Sequence, residues 1–241
     1  MITSRRNPKQ NRILSALSPS VFERLLPDLE LVYISAGEGI YGPGIHITYL
    51  YFPIDCIAAS IGELASGETL RTFITGNEGI VGISYLLGAE NAQARMVAIS
   101  SGTAFRIKAS LLKREFAAGG ELQLLLLQFT HRLIVQTTLI AMGARHYSIE
   151  QQLCIFLLMS LDRLPGNNLC VTHDQASILL GARRESVTLA ARKLGITGAI
   201  NYRRGHLTVV NRRELECRAG ESYALLSKGA SRSCGQAVLG A

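Results

Sequence analysis

The chain has no tryptophan, and only 6% of its 241 residues are aromatic and 18% charged. With 48% hydrophobic residues, so little charge rules out a disordered acidic or polar chain. Cysteine is sparse and scattered: Cys56, Cys154, Cys170, Cys217 and Cys234. Their number is odd and no two have C-x-x-C spacing, which excludes a disulfide framework and a cage of closely spaced thiolates for zinc or iron–sulfur. Free thiols in a reducing, cytoplasmic compartment are the expectation. No metal-spaced cluster, Ser/His/Asp or Cys/His set, or phosphate loop is present, so the chain does not read as an enzyme. The start, MITSRRNPKQNR, is basic but lacks the apolar run of a signal peptide, and it reads as a flexible arm.

Long apolar runs are also scarce. The one candidate, residues 122–144, carries Gln123, Gln128, His131, Arg132 and Gln136. A charge at the bilayer centre costs about 3 kcal/mol, so a helix burying one stripe in protein accounts for this segment better than a membrane span does.

What is abundant is positive charge, and it has an address. Residues 1–164 hold 14 Lys+Arg and 13 Asp+Glu, a net of +1; residues 165–241 hold 11 and 5, a net of +6. A basic module follows a near-neutral one, which points to an anionic partner for the last third.

Glycine divides the chain further. Residues 37–102 hold eleven glycines, whereas 121–165 hold one, Gly143. The glycine-rich part reads as short strands between turns: LELVYISAG, ITYLYFPID, CIAASIG, LRTFITG, ARMVAISSG and TAFRIKAS. Their rough alternation predicts an antiparallel sandwich, roll or barrel. Ser18-Pro19-Ser20 starts a short helix before it. From residue 120 the period becomes helical. Leu122, Phe129, Gln136 and Gly143 form one row and Leu126, Leu133 and Ile140 the other, a heptad-like seam. It predicts pairing with a second chain, or packing against the chain's own strands. A second helix, SIEQQLCIFLLMSLDRL, begins at Ser148 and ends at Leu164, before Pro165-Gly166.

The basic module reads as helix, tight turn, helix, hairpin, the order of a winged helix-turn-helix. Thr172 caps HDQASILL, Gly181 breaks that helix, and RRESVTLAARKL runs from Arg183 to Gly195. TGAINYR and HLTVVN make two strands around Arg204-Gly205. In the second helix Val187, Ala190, Ala191 and Leu194 can face inward, leaving Arg184, Glu185 and Thr188 outside near its start. Arg can grip a guanine edge and Glu can accept from a cytosine amino group. Thr172 offers hydroxyl and N–H to a phosphate, and Arg192, Lys193, Arg203 and Arg204 suit the phosphate backbone of double-stranded DNA; Arg183, at the start of the second helix, is counted with the DNA-binding residues.

These residues resemble the cyclic-AMP receptor protein / FNR (CRP/FNR) family of bacterial transcription regulators. The resemblance spans roughly residues 14–226. Its most specific part is LCVTHDQASILLGARRESVTLAARKLGITGAINYRRGHLTVVNRRELE, with YLYFPID and GNEGIVGIS matching the family's sensor domain. It implies an α+β chain: an N-terminal cyclic-nucleotide-binding-like antiparallel β-roll (14–118), a long dimerisation helix (119–146), a C-terminal winged helix-turn-helix (147–226) and a disordered tail (227–241). It implies a homodimer on a near-palindromic promoter site, with RNA polymerase as a further partner. The seam residues Leu122, Leu126, Phe129, Leu133, Gln136 and Ile140 would join the two copies. The family's reading positions fall on Arg184 and Glu185, and a third falls on Leu189, which departs from the usual Arg. The family's effector pocket corresponds to Glu78, Arg95, Gln136 and Thr137. Met96 follows Arg95 where cyclic-nucleotide binders have Ser or Thr, so cyclic AMP is not the expected effector and its identity stays open. The iron–sulfur cysteine cluster of some members is missing. His46, His131 and His146 could reach a haem, but no motif surrounds them. The alternative is a ligand-sensing module that acts through protein partners and binds DNA only non-specifically.

Overall fold

The computed structural model describes residues 7–164, 166–203 and 206–232. In chain order these hold α1 (Arg12–Ala16), α2 (Pro19–Leu25), β1 (Glu30–Ile34), β2 (Gly39–Tyr41), β3 (Tyr49–Pro53), β4 (Ala58–Glu63), β5 (Thr69–Thr75), β6 (Arg95–Ala98) and β7 (Gly102–Lys108). Helices α3 (Ala109–Ala117), α4 (Glu121–His146) and α5 (Ile149–Leu161) follow, then β8 (Asn168–Cys170), α6 (His173–Leu180), α7 (Arg184–Ile196), β9 (Ile200–Arg203), β10 (His206–Val209) and α8 (Arg212–Arg232). The chain is α+β, with an antiparallel N-terminal region, a long helix and a C-terminal helix-turn-helix. It divides into two compact units. One takes the chain to Ala58 and Thr75–Phe129; the other takes Ala59–Ile74 and the chain from Thr130 onward.

In the first unit β7 lies between β1 and β3, antiparallel to both. Leu50 and Phe52 alternate inward from β3 and are fully buried, as the period-2 pattern of YLYFP requires. On the other face Arg106 of β7 grips its cross-strand partner Glu30 with two hydrogen bonds of 2.9 Å. The same guanidinium lies 4.3 Å from the Tyr49 ring centre. Strand β2 pairs antiparallel with β6.

The N-terminal segment is folded from Asn7 on, not a flexible arm; residues 1–6 lie outside the described residues. The reason is Asn11, which is wholly buried. Its Oδ1 accepts from the Ile13 and Leu14 amides at 3.0 and 3.4 Å, capping α1. Its Nδ2 donates to the Pro53 carbonyl at 3.0 Å and the Gly79 carbonyl at 2.9 Å. One side chain thus ties the start of the chain to β3 and to the turn after β5. The short helix expected after Ser18 is α2, with Pro19 as its first residue.

In the second unit β4 and β5 are neighbours, joined by a hydrogen bond from Thr72 Oγ1 to Ser60 Oγ of 2.9 Å. Helix α5 has the capping box its sequence advertises: Ser148 Oγ accepts from the Gln151 amide at 3.2 Å, and Gln151 Oε1 accepts from the Ser148 amide at 3.1 Å. From Leu153 to Leu161 every residue of α5 is buried, so it is the core element of this unit. Helix α8 is tied to α5 by Arg212 to Asp162 (2.6 Å) and Arg218 to Glu150 (2.5 Å). It runs to Arg232, so the stretch from 227 expected to be unstructured begins as helix; residues 233–241 lie outside the described residues.

Helix α4 corrects one expectation. Leu122, Leu126, Phe129, Leu133, Gln136 and Ile140 are all buried within the chain itself. Heptad spacing specifies an apolar stripe but not whose surface covers it, and here the chain's own residues do. Gly79 shows how tightly: a Cβ there would stand 2.1 Å from the Phe129 ring. Gln136 is bonded within the chain: its Oε1 accepts from the Ile74 amide at 2.6 Å and its Nε2 donates to the Ile74 carbonyl at 3.3 Å. By length and composition α4 could cross a membrane, but this stripe lies in protein. The large apolar residues it leaves exposed are Leu124, Leu127, Ile134 and Met142.

Replacing Asn11 with Ala removes the α1 cap and takes one hydrogen bond from each of two buried carbonyls. We expect a loss of about 3 kcal/mol, read in urea as a lower midpoint with an unchanged slope.

Candidate nucleic-acid interface

Helix α6 starts on a second capping box. Thr172 Oγ1 accepts from the Gln175 amide at 3.1 Å, and Gln175 Oε1 accepts from the Thr172 amide at 2.8 Å. Capping uses the Thr172 oxygen as an acceptor and leaves its hydroxyl proton free to donate. The helix ends at Gly181 with φ +60°. A Cβ there would stand 2.8 Å from the Thr69 carbonyl oxygen of β5, so both the left-handed backbone and the close approach require glycine.

Arg183 is the extended N-cap of α7, with no side-chain capping bond. Behind it Val187, Ala190, Ala191 and Leu194 are buried and seat the helix. Arg183, Arg184, Glu185, Thr188, Leu189, Arg192 and Lys193 are all exposed. The division into inner and outer faces follows the helical period seen in the sequence. Arg203 ends β9 and is exposed. Arg204, the other expected wing residue, lies outside the described residues. The wing is three-stranded, in the order β8-β10-β9. Its edge strand β8 was not legible as a strand because it is three residues long and ends in the polar run before α6.

Several side chains set the electrostatics of this face. Arg184 Nε lies 3.1 Å from Asp174 Oδ1 on α6; both are exposed, so the pair holds Arg184 weakly. Thr188 Oγ1 donates to the Arg184 carbonyl at 2.9 Å and lies 3.0 Å from His173 Nδ1. The hydroxyl has one proton for these two neighbours, so the Nδ1 contact and the carbonyl contact are both satisfied when His173 carries its proton on Nδ1. The other ring nitrogen, Nε2, is buried without a partner among the described residues. The His173 ring stacks on Tyr202 of β9, centroids 4.3 Å apart and planes 13° apart. Burial and the nearby Arg184 charge hold the imidazole below the usual histidine range, Asp174 opposing. His173 and Asp174 were not singled out in the sequence. Their positions in the first turn of α6 are the only local signal, and it does not tell which helix they touch.

The four residues matched to an effector pocket stand on separate elements, and each has its own local setting. Glu78 closes a turn, accepting from the Gly76 amide at 3.0 Å. Arg95 opens β6, half-buried, with Nε unpartnered among the described residues. Gln136 is bonded to Ile74 as above. Thr137 donates to the Leu133 carbonyl at 2.9 Å and lines an apolar groove of about 590 Å³ with Phe73, Leu133, Ile134 and Met142. Among the described residues no three or more His, Cys, Asp or Glu side chains cluster as metal ligands. Cys56 and Cys154 are buried free thiols; Cys170 and Cys217 are exposed ones.

A basic two-helix motif with a tight glycine turn, an exposed polar outer face and a small antiparallel wing defines the class: a winged helix-turn-helix protein. Residues 151–218 match the family model of the Crp-like helix-turn-helix domain, and the chain has the fold of CRP/FNR-type transcription regulators. It is similar to FixK2 from Bradyrhizobium japonicum at 16% identity, covering 78% of this chain and 95% of that one with a TM-score of 0.64. It is also similar to two regulators from Thermus thermophilus. One, of the CRP family, is 15% identical with a TM-score of 0.65, over 78% of this chain and 96% of that one. The other, of the CRP/FNR family, is 19% identical with a TM-score of 0.60, over 79% and 98%. No curated protein matches the chain in sequence.

The His173 shift has a pH consequence. An imidazole whose pKa is lower folded than unfolded takes up a proton more readily when unfolded, so stability falls as pH drops through about 6.5. Thermal unfolding at pH 7.5 and 5.5 should show this fall, and His173→Phe, which keeps the stack on Tyr202, should show a smaller one.

Proposed function

We propose that the chain is a homodimeric, sequence-specific DNA-binding transcription regulator of the cytoplasm, with α7 in the major groove of a near-palindromic promoter site. The observation that carries this reading is the outer face of α7, where Arg184, Glu185 and Thr188 stand exposed beside a capped α6. Arg184 and Glu185 read base edges. Thr172, Arg183, Arg192, Lys193 and Arg203 hold phosphates, and Arg204 is assigned with them from the sequence. The exposed Leu189 offers an alkyl group where hydrogen-bond readout has nothing to grip, which suits a thymine methyl. RNA polymerase as a protein partner and a small-molecule effector belong to the same proposal.

The dimer is assigned to the outer stripe of α4, not the heptad seam. Leu127, Ile134 and Met142 recur at near-heptad spacing and are 45%, 60% and 53% exposed. Ile134 and Met142 line the apolar groove beside Phe73. An unpartnered stripe of this kind favours a second copy's α4. Ile134→Glu should convert a dimer to a monomer in sedimentation velocity at micromolar concentration.

Selection of bound genomic fragments tests the DNA assignment. An enriched inverted repeat supports it, and no enrichment favours non-specific binding with action through protein partners. On the selected site, Arg184→Ala should cost about 1–3 kcal/mol and relax preference at one base pair in each half-site. Lys193→Ala should weaken all sequences alike and flatten the salt dependence. Equal loss on selected and random DNA for Arg184→Ala contradicts its reading role.

A further inference from the structure

We infer that Arg71 of β5 is the centre of an oxyanion-binding site on α5, taking a small phosphate or carboxylate ligand. Arg71 is 3% exposed, and its Nε and Nη1 have no hydrogen-bond partner among the described residues. Its guanidinium carbon lies 5.0 Å from the centre of the Phe156 ring on α5. A ring face offsets part of a desolvated positive charge but accepts none of the guanidinium N–H bonds in its plane.

The charge nearest in effect is another cation. Burial first, and then Arg163, pull the Arg71 guanidinium down to about 9. It therefore stays charged at neutral pH. Arg163 is turned toward the end of α5, donating to the Met159 carbonyl at 2.7 Å. The adjacent carboxylate, Asp162, is engaged by Arg212 and Tyr223. Two guanidinium groups thus act on one region, and among the described residues no carboxylate forms an ion pair with Arg71. An uncompensated buried charge is costly, and a planar guanidinium matches carboxylate or phosphate oxygens in both charge and geometry.

The position gives the site a consequence. Two residues before Arg71, Thr69 Oγ1 donates to the Ile178 carbonyl of α6 at 3.3 Å, and the Thr69 carbonyl is the oxygen that Gly181 packs against. Three residues after it, Ile74 is held by Gln136 of α4. An anion on Arg71 therefore binds the middle of the strand that touches both the long helix and the helix-turn-helix turn. This regulatory consequence rests on the DNA-binding reading; the site itself does not, and it is scored without DNA.

The test uses the full chain with inorganic phosphate and, separately, acetate against chloride at matched ionic strength. At saturation by phosphate, acetate or both, the thermal midpoint of the wild type should rise by about 5 °C, and calorimetry should show one site per chain. A response to phosphate alone assigns the phosphoryl source, and an equal or larger response to acetate assigns the carboxylate source. Arg71→Met should lose the response, and in chloride it should unfold no earlier than the wild type. Should that variant fail to fold, the Arg71 Nε–H signal of the wild type decides by NMR: it moves on titration if the site exists. No midpoint shift with either anion, an equal shift in Arg71→Met, or an unmoved Nε–H signal overturns the inference.

Discussion

Strand β5 is fixed by one amide. Gln136 is 4% exposed, and it meets both the N–H and the C=O of Ile74 as a neighbouring strand would. A buried amide with both ends satisfied is directional in a way apolar packing is not. It sets the register of β5 on α4, and from that register the rest of the strand follows. Arg71 falls on Phe156 and Thr69 falls on the α6–α7 turn. Gly181 can occupy its left-handed turn only because nothing projects toward the Thr69 oxygen. The helix-turn-helix is thus built against a strand that belongs, by sequence, to the glycine-rich half of the chain.

That arrangement explains which features were legible in the sequence. Capping residues, glycine stops and helical period are local, and they placed α6 and α7 within a residue or two and the start of α5 within one; α5 ends at Leu161, three residues before the expected Leu164. The Thr172 and Ser148 boxes were visible because both partners lie three residues apart. Long-range partnerships were not visible. Asn11 meets Gly79 from 68 residues away and Gln136 meets Ile74 from 62. In the sequence, Asn11 belongs to a basic leader and Gln136 is a polar interruption in a seam. The seam itself was read correctly as a stripe, but it is covered by the chain's own residues; period alone carries no information about the neighbour.

Charge followed the same rule. The concentration of +6 in residues 165–241 coincides with the module that carries the exposed outer face of α7, because exposed charges act where they stand. The single charge that is buried among the described residues, Arg71, was hidden in LRTFITG, a segment whose alternation marked it only as a strand. Its lack of a carboxylate is a property of the folded environment, as is the His173 contact with Thr188.

The account depends on β5 being held to α4 and to the helix-turn-helix turn as one piece. Hydrogen exchange at the Ile74 amide in wild type and Gln136→Leu measures that directly. The account predicts strong protection in the wild type. In the variant, exchange at Ile74 should be faster by about tenfold or more, and the amides around Gly181 should lose protection with it. Unchanged protection at Ile74, or a loss confined to Ile74 that leaves the α6–α7 turn untouched, would contradict it.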